Sequence, residues 1–393
     1  MTARTVTLGS IAKITSGGTP ERTKPAYWNG TIPWVKTAQI QNCTITAECV
    51  DEWITQEGLE QSSARMIPKG TILMAMYGQG KTRGQVAILG IDATINQACA
   101  AILLKPEANR DYVYQQLRYR YESIRALSNT GSQENLNAEL IREIAFPLPA
   151  LEEQKAIAQA LVVWDTAIQK TEQLIAAKER HFAATSHLLL TSRKRLNGFS
   201  TRWGLRRADE IFENTSRKGY LNEPLLSVTQ ERGVIPRDML EGRVTMPSGE
   251  TGAFKLVEPG NFVISLRSFQ GGLEHSNYRG LVSPAYTVLR EVVEIDERFF
   301  RHYFKSADFI KRLSVAVIGI RDGKQISFQD FCSIKLPLPP VDEQKAIAAF
   351  LDEAEGEISL LRKYTAALKT QKRGLMQKLL TGQWRLPVQE EAS

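Results

Sequence analysis

Ile157, Leu161, Trp164, Ile168, Thr171, Ile175, Lys178, Phe182, Thr185 and Leu189 follow one another at alternating steps of four and three. The same rhythm returns at Ile347, Leu351, Ala354, Ile358, Leu361, Thr365, Leu368, Lys372, Leu375 and Leu379. That spacing keeps a largely apolar stripe on one face of an α-helix and forms a heptad seam. Each helix starts behind prolines, in "PLPALEEQKAIAQAL" from Pro147 and "PLPPVDEQKAIAAFL" from Pro337. Proline suits an extended lead-in and a helix start, not a helix interior. Glu152, Glu153, Asp342 and Glu343 then place negative charge in the first turn, where the helix dipole favours it. Some forty residues make a helix about 60 Å long at 1.5 Å per residue. Two long stripes in one chain must both be covered, and pairing them with each other is the economical solution. Run antiparallel, the seams bring Trp164 to Lys372 and Phe182 to Ala354. Trp164, Ile168, Ile175, Phe182, Ala354, Ile358, Leu361 and Leu368 are the expected pairing positions.

The two stripes belong to a longer internal repeat. At an offset of 190, residues 146–196 and 336–386 align without a gap and agree at 18 of 51 positions. Upstream, "ENLNAELIREI" aligns with "KQISFQDFCSI". Short apolar runs such as "KGTILMAMYG", "QVAILGI" and "QACAAILL" read as strands between glycine and asparagine turns. "LVEPGNFVISLRSF" and "GLVSPAYTVLREV" take comparable places in the second half. "RDYVYQQLRYRYESIRAL" and "DERFFRHYFKSADFIKRL" read as amphipathic helices. The expected class is α+β: two globular domains and two long helices in an antiparallel coiled coil, with an internal pseudo-two-fold repeat. The expected boundaries are 1–146 for the first domain, 147–197 for a central helical spacer and 198–335 for the second domain. A distal spacer then covers 336–386 and a tail 387–393.

Composition adds limits. A length of 393 residues suits more than one domain. The net charge of +7 permits nucleic-acid binding without requiring it. No apolar run approaches bilayer length, which predicts no membrane contact. The amino terminus "MTARTVTLGSIAKITSGG" lacks the apolar centre of a signal peptide. Cys43, Cys49, Cys99 and Cys332 show no CxxC pairing, and together these features suggest a reducing cytoplasm.

The chemical motifs lead away from catalysis. Gly80-Lys81-Thr82 invites a phosphate-loop reading, but Ala75 stands where that loop needs glycine. Glu153-Gln154-Lys155 and Glu343-Gln344-Lys345 are E-x-K tripeptides of the nuclease kind. They open helices behind prolines, however, rather than lying on a sheet beside another metal-holding acid. His181, His187, His275 and His302 have no ligand partners at zinc spacing. No catalytic, cofactor-binding or metal-binding residues are expected in this chain.

At this point the residues resemble a known family, the DNA specificity subunits of type I restriction–modification systems. The resemblance rests on the duplicated PLP hinge with its "EEQ" or "DEQ" helix start. "SGGTPERTKPAYWNGTIPWVKT", "IPKGTILMAMYG" and "NQA" are similar to the first recognition domain of that family. "LLSVTQERGVIPRD" looks like another branch, and "QKLLTGQWRL" like the end of the distal spacer. The resemblance implies a non-catalytic subunit that selects a bipartite, asymmetric double-stranded DNA target and scaffolds methyltransferase and restriction subunits. S-adenosylmethionine, ATP and magnesium would then sit on those partners. Two other readings stay open: the specificity segment of a fused methyltransferase–nuclease, or a coiled-coil scaffold without DNA selectivity.

Reading DNA takes side chains that match base edges and others that hold phosphates. On glycine-bearing loops of the first domain the candidates are Lys36, Thr37, Gln79, Lys81, Thr82, Arg83, Gln133 and Asn135, with Arg22 and Lys24 for phosphate. The second domain offers Arg267, Ser268, Gln270, Asn277, Arg279, Arg321 and Lys324. If the helix pair sets the distance between the domains, its length fixes the gap between the two half-sites.

Overall fold

The computed structural model describes residues 4–78, 80–127, 135–240, 251–265, 268–317 and 326–386. The chain divides into two compact units, one of residues 1–172 with 364–393 and the other of 173–363. The division passes through both long helices, Leu151–Leu190 and Val341–Leu380, each of 40 residues. None of the ten seam positions on either helix is exposed.

In the first unit, strand Arg4–Thr7 pairs antiparallel with the hinge strand Ala145–Leu148, so the domain begins and ends side by side. A five-stranded sheet runs in the order Ala12–Ser16, Cys99–Leu104, Ile72–Ala75, Val86–Leu89 and Thr44–Ile45. Its inner strands are continuous apolar runs because both faces are covered; every residue of Ile72–Ala75 and Val86–Leu89 is buried. Helix Arg110–Tyr119 packs Tyr112, Val113 and Leu117 into the same core. That core also takes in Ile157 and Leu161 from the central helix and Met376, Leu379 and Leu380 from the distal one. The helix ends are thus built into the domain.

The second unit repeats the scheme with different residues. Strand Gly204–Arg207 pairs with the hinge strand Lys335–Leu338. A four-stranded sheet runs in the order Phe212–Thr215, Thr287–Glu291, Phe262–Ile264 and Glu274–His275. Its core is aromatic: Phe262 meets Phe304 edge to face at 4.9 Å between centroids, a geometry that ring quadrupoles favour. Leu189, Leu190, Ile347, Ala348 and Leu351 of the long helices complete it.

The helices run antiparallel within each unit. In the first, Asp165 pairs with Lys372 at 2.6 Å and Glu172 with Lys369 at 2.7 Å. In the second, Glu179 pairs with Arg362 at 2.6 Å, while Phe182 and Ala354 line one hollow together with Leu351 and Ile358. The expected α+β class, with two domains joined to an antiparallel pair of long helices, is the fold observed. Among the described residues no helix is long and apolar enough to cross a membrane.

Candidate nucleic-acid interface

Each hinge carries the same pair of residues in the same role. Gln154 accepts from the Asn109 backbone N–H at 2.8 Å and donates to the Pro149 carbonyl at 2.9 Å. Gln344 accepts from the Asp296 backbone N–H at 2.9 Å and donates to the Pro339 carbonyl at 2.8 Å. Asn109 and Asp296 are the N-caps of helices Arg110–Tyr119 and Glu297–Tyr303. The glutamine therefore ties the start of each long helix to its own domain.

The neighbouring glutamate ties it to an arginine in the segment just past the end of the other helix. Glu343 is fully buried and takes a two-pronged ion pair from Arg195, with both contacts at 2.5 Å, and a hydrogen bond from the Trp203 indole at 2.9 Å. Glu153, 4% exposed, pairs in the same forked way with Arg385. Charges this deeply placed need a partner, and the planar guanidinium fits both carboxylate oxygens at once. The first-turn charge expected merely to suit the helix dipole is, for Glu153 and Glu343, the acceptor of an arginine from just beyond the other helix's end. Arg195 and Arg385 are themselves equivalent in the repeat, which was the signal in the sequence.

Deeper in the first unit, Lys372 is 5% exposed and sits on the seam beside Asp165. Arg118 reaches the same carboxylate at 2.9 Å and Gln115 donates to it at 2.7 Å. Burial, then the Arg118 charge, push Lys372 below its ordinary range against the pull of Asp165. Burial would raise Asp165, but Arg118 and Lys372 outweigh it and hold the carboxyl low.

The candidate DNA-contacting residues fall into three groups. Several cations already have acidic neighbours. Arg22 lies 4.0 Å over the Trp28 ring and bonds Glu52 at 2.5 Å. Lys36 contacts Glu52 at 2.6 Å and Asp51 at 3.0 Å, and the Glu52 hydrogen bond lifts its pKa. Lys24 pairs with Glu21 at 3.1 Å, and Arg279 with Glu258 at 2.6 Å and Glu223 at 2.8 Å. Exposed pairs of this kind are weak because water and salt screen them, so exchanging the carboxylate for a phosphate costs little.

Other candidates meet the loop premise more simply. Lys81 is exposed on the hairpin loop between Ile72–Ala75 and Val86–Leu89, with no acidic partner among the described residues. Gly78, Gly80 and Gly84 in this loop have φ of 137°, 64° and 83°, conformations that favour glycine. Thr82 and Thr37 are half-buried, while Asn135 and Asn277 are exposed.

Two candidates need correction. Arg83 is only 7% exposed and Ser268 only 1%; the Ser268 hydroxyl accepts from the Ser265 backbone N–H at 2.8 Å. Both were expected on open loops, but the chain folds them inward. Gln79, Gln133, Arg267, Arg321 and Lys324 lie outside the described residues, as does the side chain of Gln270.

One cluster has metal-ligand chemistry: His302, Asp352 and Glu355 converge in the second unit. Arg301 occupies the middle of it, donating to Asp352 at 2.6 Å and Glu355 at 2.8 Å. A guanidinium there already supplies the positive charge.

A sequence model of the type I restriction modification DNA specificity domain matches residues 2–179 and 256–370. The EcoR124I/EcoR124II type I restriction enzyme specificity subunit of Escherichia coli is 30% identical over 166 residues, covering 41% of this chain and 40% of that protein. The chain thus spans about two fifths of that relative's length in the match. The putative MjaX specificity subunit of Methanocaldococcus jannaschii is 25% identical over 349 residues, 81% of this chain and 79% of that protein. In fold, the chain is similar to the S subunit of a type I restriction-modification system from M. genitalium. The TM-score is 0.57 at 17% identity, with 96% of each chain covered. Matched through both of its domains, the chain belongs to the type I restriction modification DNA specificity domain family.

Proposed function

We propose that this chain is the recognition subunit of a type I restriction–modification complex, reading a bipartite, asymmetric double-stranded DNA target with one domain per half-site. The observation that carries this reading is the family match across both domains, 2–179 and 256–370. The fold supports it: one plan is written twice, with the same hinge and latch but different loops. Lys81 and Asn135 in the first domain, and Asn277 and Arg279 in the second, are the exposed polar residues assigned to DNA. Methyltransferase and restriction subunits are the partners that the helix pair serves, and S-adenosylmethionine, ATP and magnesium belong to them.

A non-catalytic role agrees with the two E-x-K tripeptides. Their glutamates are each held by an arginine, and Lys155 turns to Glu152 at 2.7 Å. A carboxylate forked to a guanidinium is not free to hold a metal. The purified chain, alone and with its modification partner, should retain specific duplexes from a randomised pool. Binding without sequence preference would favour a scaffold, and methyl transfer or cleavage by the isolated chain would favour the fused-enzyme segment.

A further inference from the structure

A cavity of about 620 Å³ lies within the second unit, between strand Glu274–His275, the turn at 230–233 and residues 182–190 of the central helix. That size falls in the range of small-molecule sites. His275 lines it and is 8% exposed, yet neither ring nitrogen has a hydrogen-bond partner among the described residues. Glu274 Oε2 beside it and the Ser186 hydroxyl on the facing helix are equally unmet among the described residues. Buried polar atoms are nearly always satisfied, so this group marks where a polar molecule sits.

The charges narrow its chemistry. Arg301 is engaged by Asp352 and Glu355, and Lys305 by Glu274 Oε1 at 2.5 Å and the Gly271 carbonyl at 3.0 Å. Arg232 lines the exposed rim and donates to the Met239 carbonyl at 2.9 Å, so among the described residues the buried part of the lining holds no unbalanced cation to attract an anion. Burial and, next, the Arg301 charge push His275 down to about 4, against Asp352. The ring is neutral at physiological pH, with one N–H to donate and one nitrogen to accept. Phe182 and Leu190 add apolar surface.

We propose that this cavity binds a nucleobase, an uncharged heteroaromatic whose rim both donates and accepts hydrogen bonds. The base could come from a free nucleoside or from a nucleotide turned out of a bound duplex; only the second source rests on the proposed function.

The test uses the full chain and two probes: the four free nucleosides by calorimetry, and a duplex carrying one extrahelical 2-aminopurine by fluorescence. His275→Leu removes the unmet nitrogens, and should weaken whichever probe binds by about tenfold. Ser186→Ala, a smaller change that decides the matter if the first variant does not fold, should weaken it about threefold. Nucleoside binding sensitive to either variant supports a free ligand; a variant-sensitive 2-aminopurine signal alone supports a DNA-borne base. Binding of neither probe, or binding that both folded variants leave unchanged, overturns the proposal. Sequence-selective retention of the intact duplex is measured alongside. If it persists while neither probe binds, the cavity assignment fails and the recognition reading stands.

Discussion

Glu343 has both oxygens committed, to Arg195 and to the Trp203 indole, and no water-facing surface. Removing its counter-charge leaves a buried anion. Arg195→Met should therefore cost about 3–5 kcal/mol in denaturant unfolding. Adding Glu343→Gln, which keeps an acceptor for Trp203, should recover most of the loss. If the double variant is no more stable than the single one, the ion pair is not what holds this helix start. His275 gives a second prediction, in pH. Its folded pKa is depressed to about 4 from an ordinary 6.5. Above pH 6.5 neither state holds the proton, and the group is neutral for stability. As pH falls from there towards 4, the unfolded chain takes up the proton first, so stability is lost. The full difference is about 3 kcal/mol by that linkage. Wild type and His275→Leu should diverge over this window in urea melts, the variant losing less; parallel curves would mean the imidazole is not held neutral.

At the scale of elements, the seam can be told from the outer face of the same helix by burial. Leu368 on the distal helix is 7% exposed and Leu360 is 67% exposed. Leu368→Ala should cost about 2–5 kcal/mol, and Leu360→Ala should stay within about 0.5 kcal/mol. Equal effects in thermal unfolding would show that the stripe is not the packing surface. The long helices were legible because the heptad seam holds through ten positions in each, and the strands because buried runs such as "ILMA" and "VAIL" leave little choice. The pairing of each domain's first strand with its own hinge was not legible, since Arg4–Thr7 meets residues 145–148 only through the finished fold. The same limit applies at the site. Arg83 and Ser268 stand in glycine-bearing stretches that read as open loops, but tertiary packing buries Arg83 and Ser268 opens the short helix Ser268–Gly271 with its side chain inward. The buried Lys372–Asp165–Arg118 group escaped notice because its members come from three separate segments. The Arg195–Glu343 and Arg385–Glu153 latches could have been found, because all four residues are identities within the repeat.

The whole molecule is one plan used twice, and on the proposed function its two domains read DNA independently. Different loops on the same hinge and latch are what independent reading requires. The direct measurement is selection of bound duplexes from a randomised pool by the chain assembled with a type I modification subunit. The selection is repeated after residues 1–146 are exchanged for the first domain of another family member. The wild-type complex should enrich two unlike half-sites at a fixed gap, and the exchange should replace one half-site while leaving the other and the gap unchanged. Enrichment of no sequence would contradict the recognition reading, and a change in both half-sites at once would contradict independent domains.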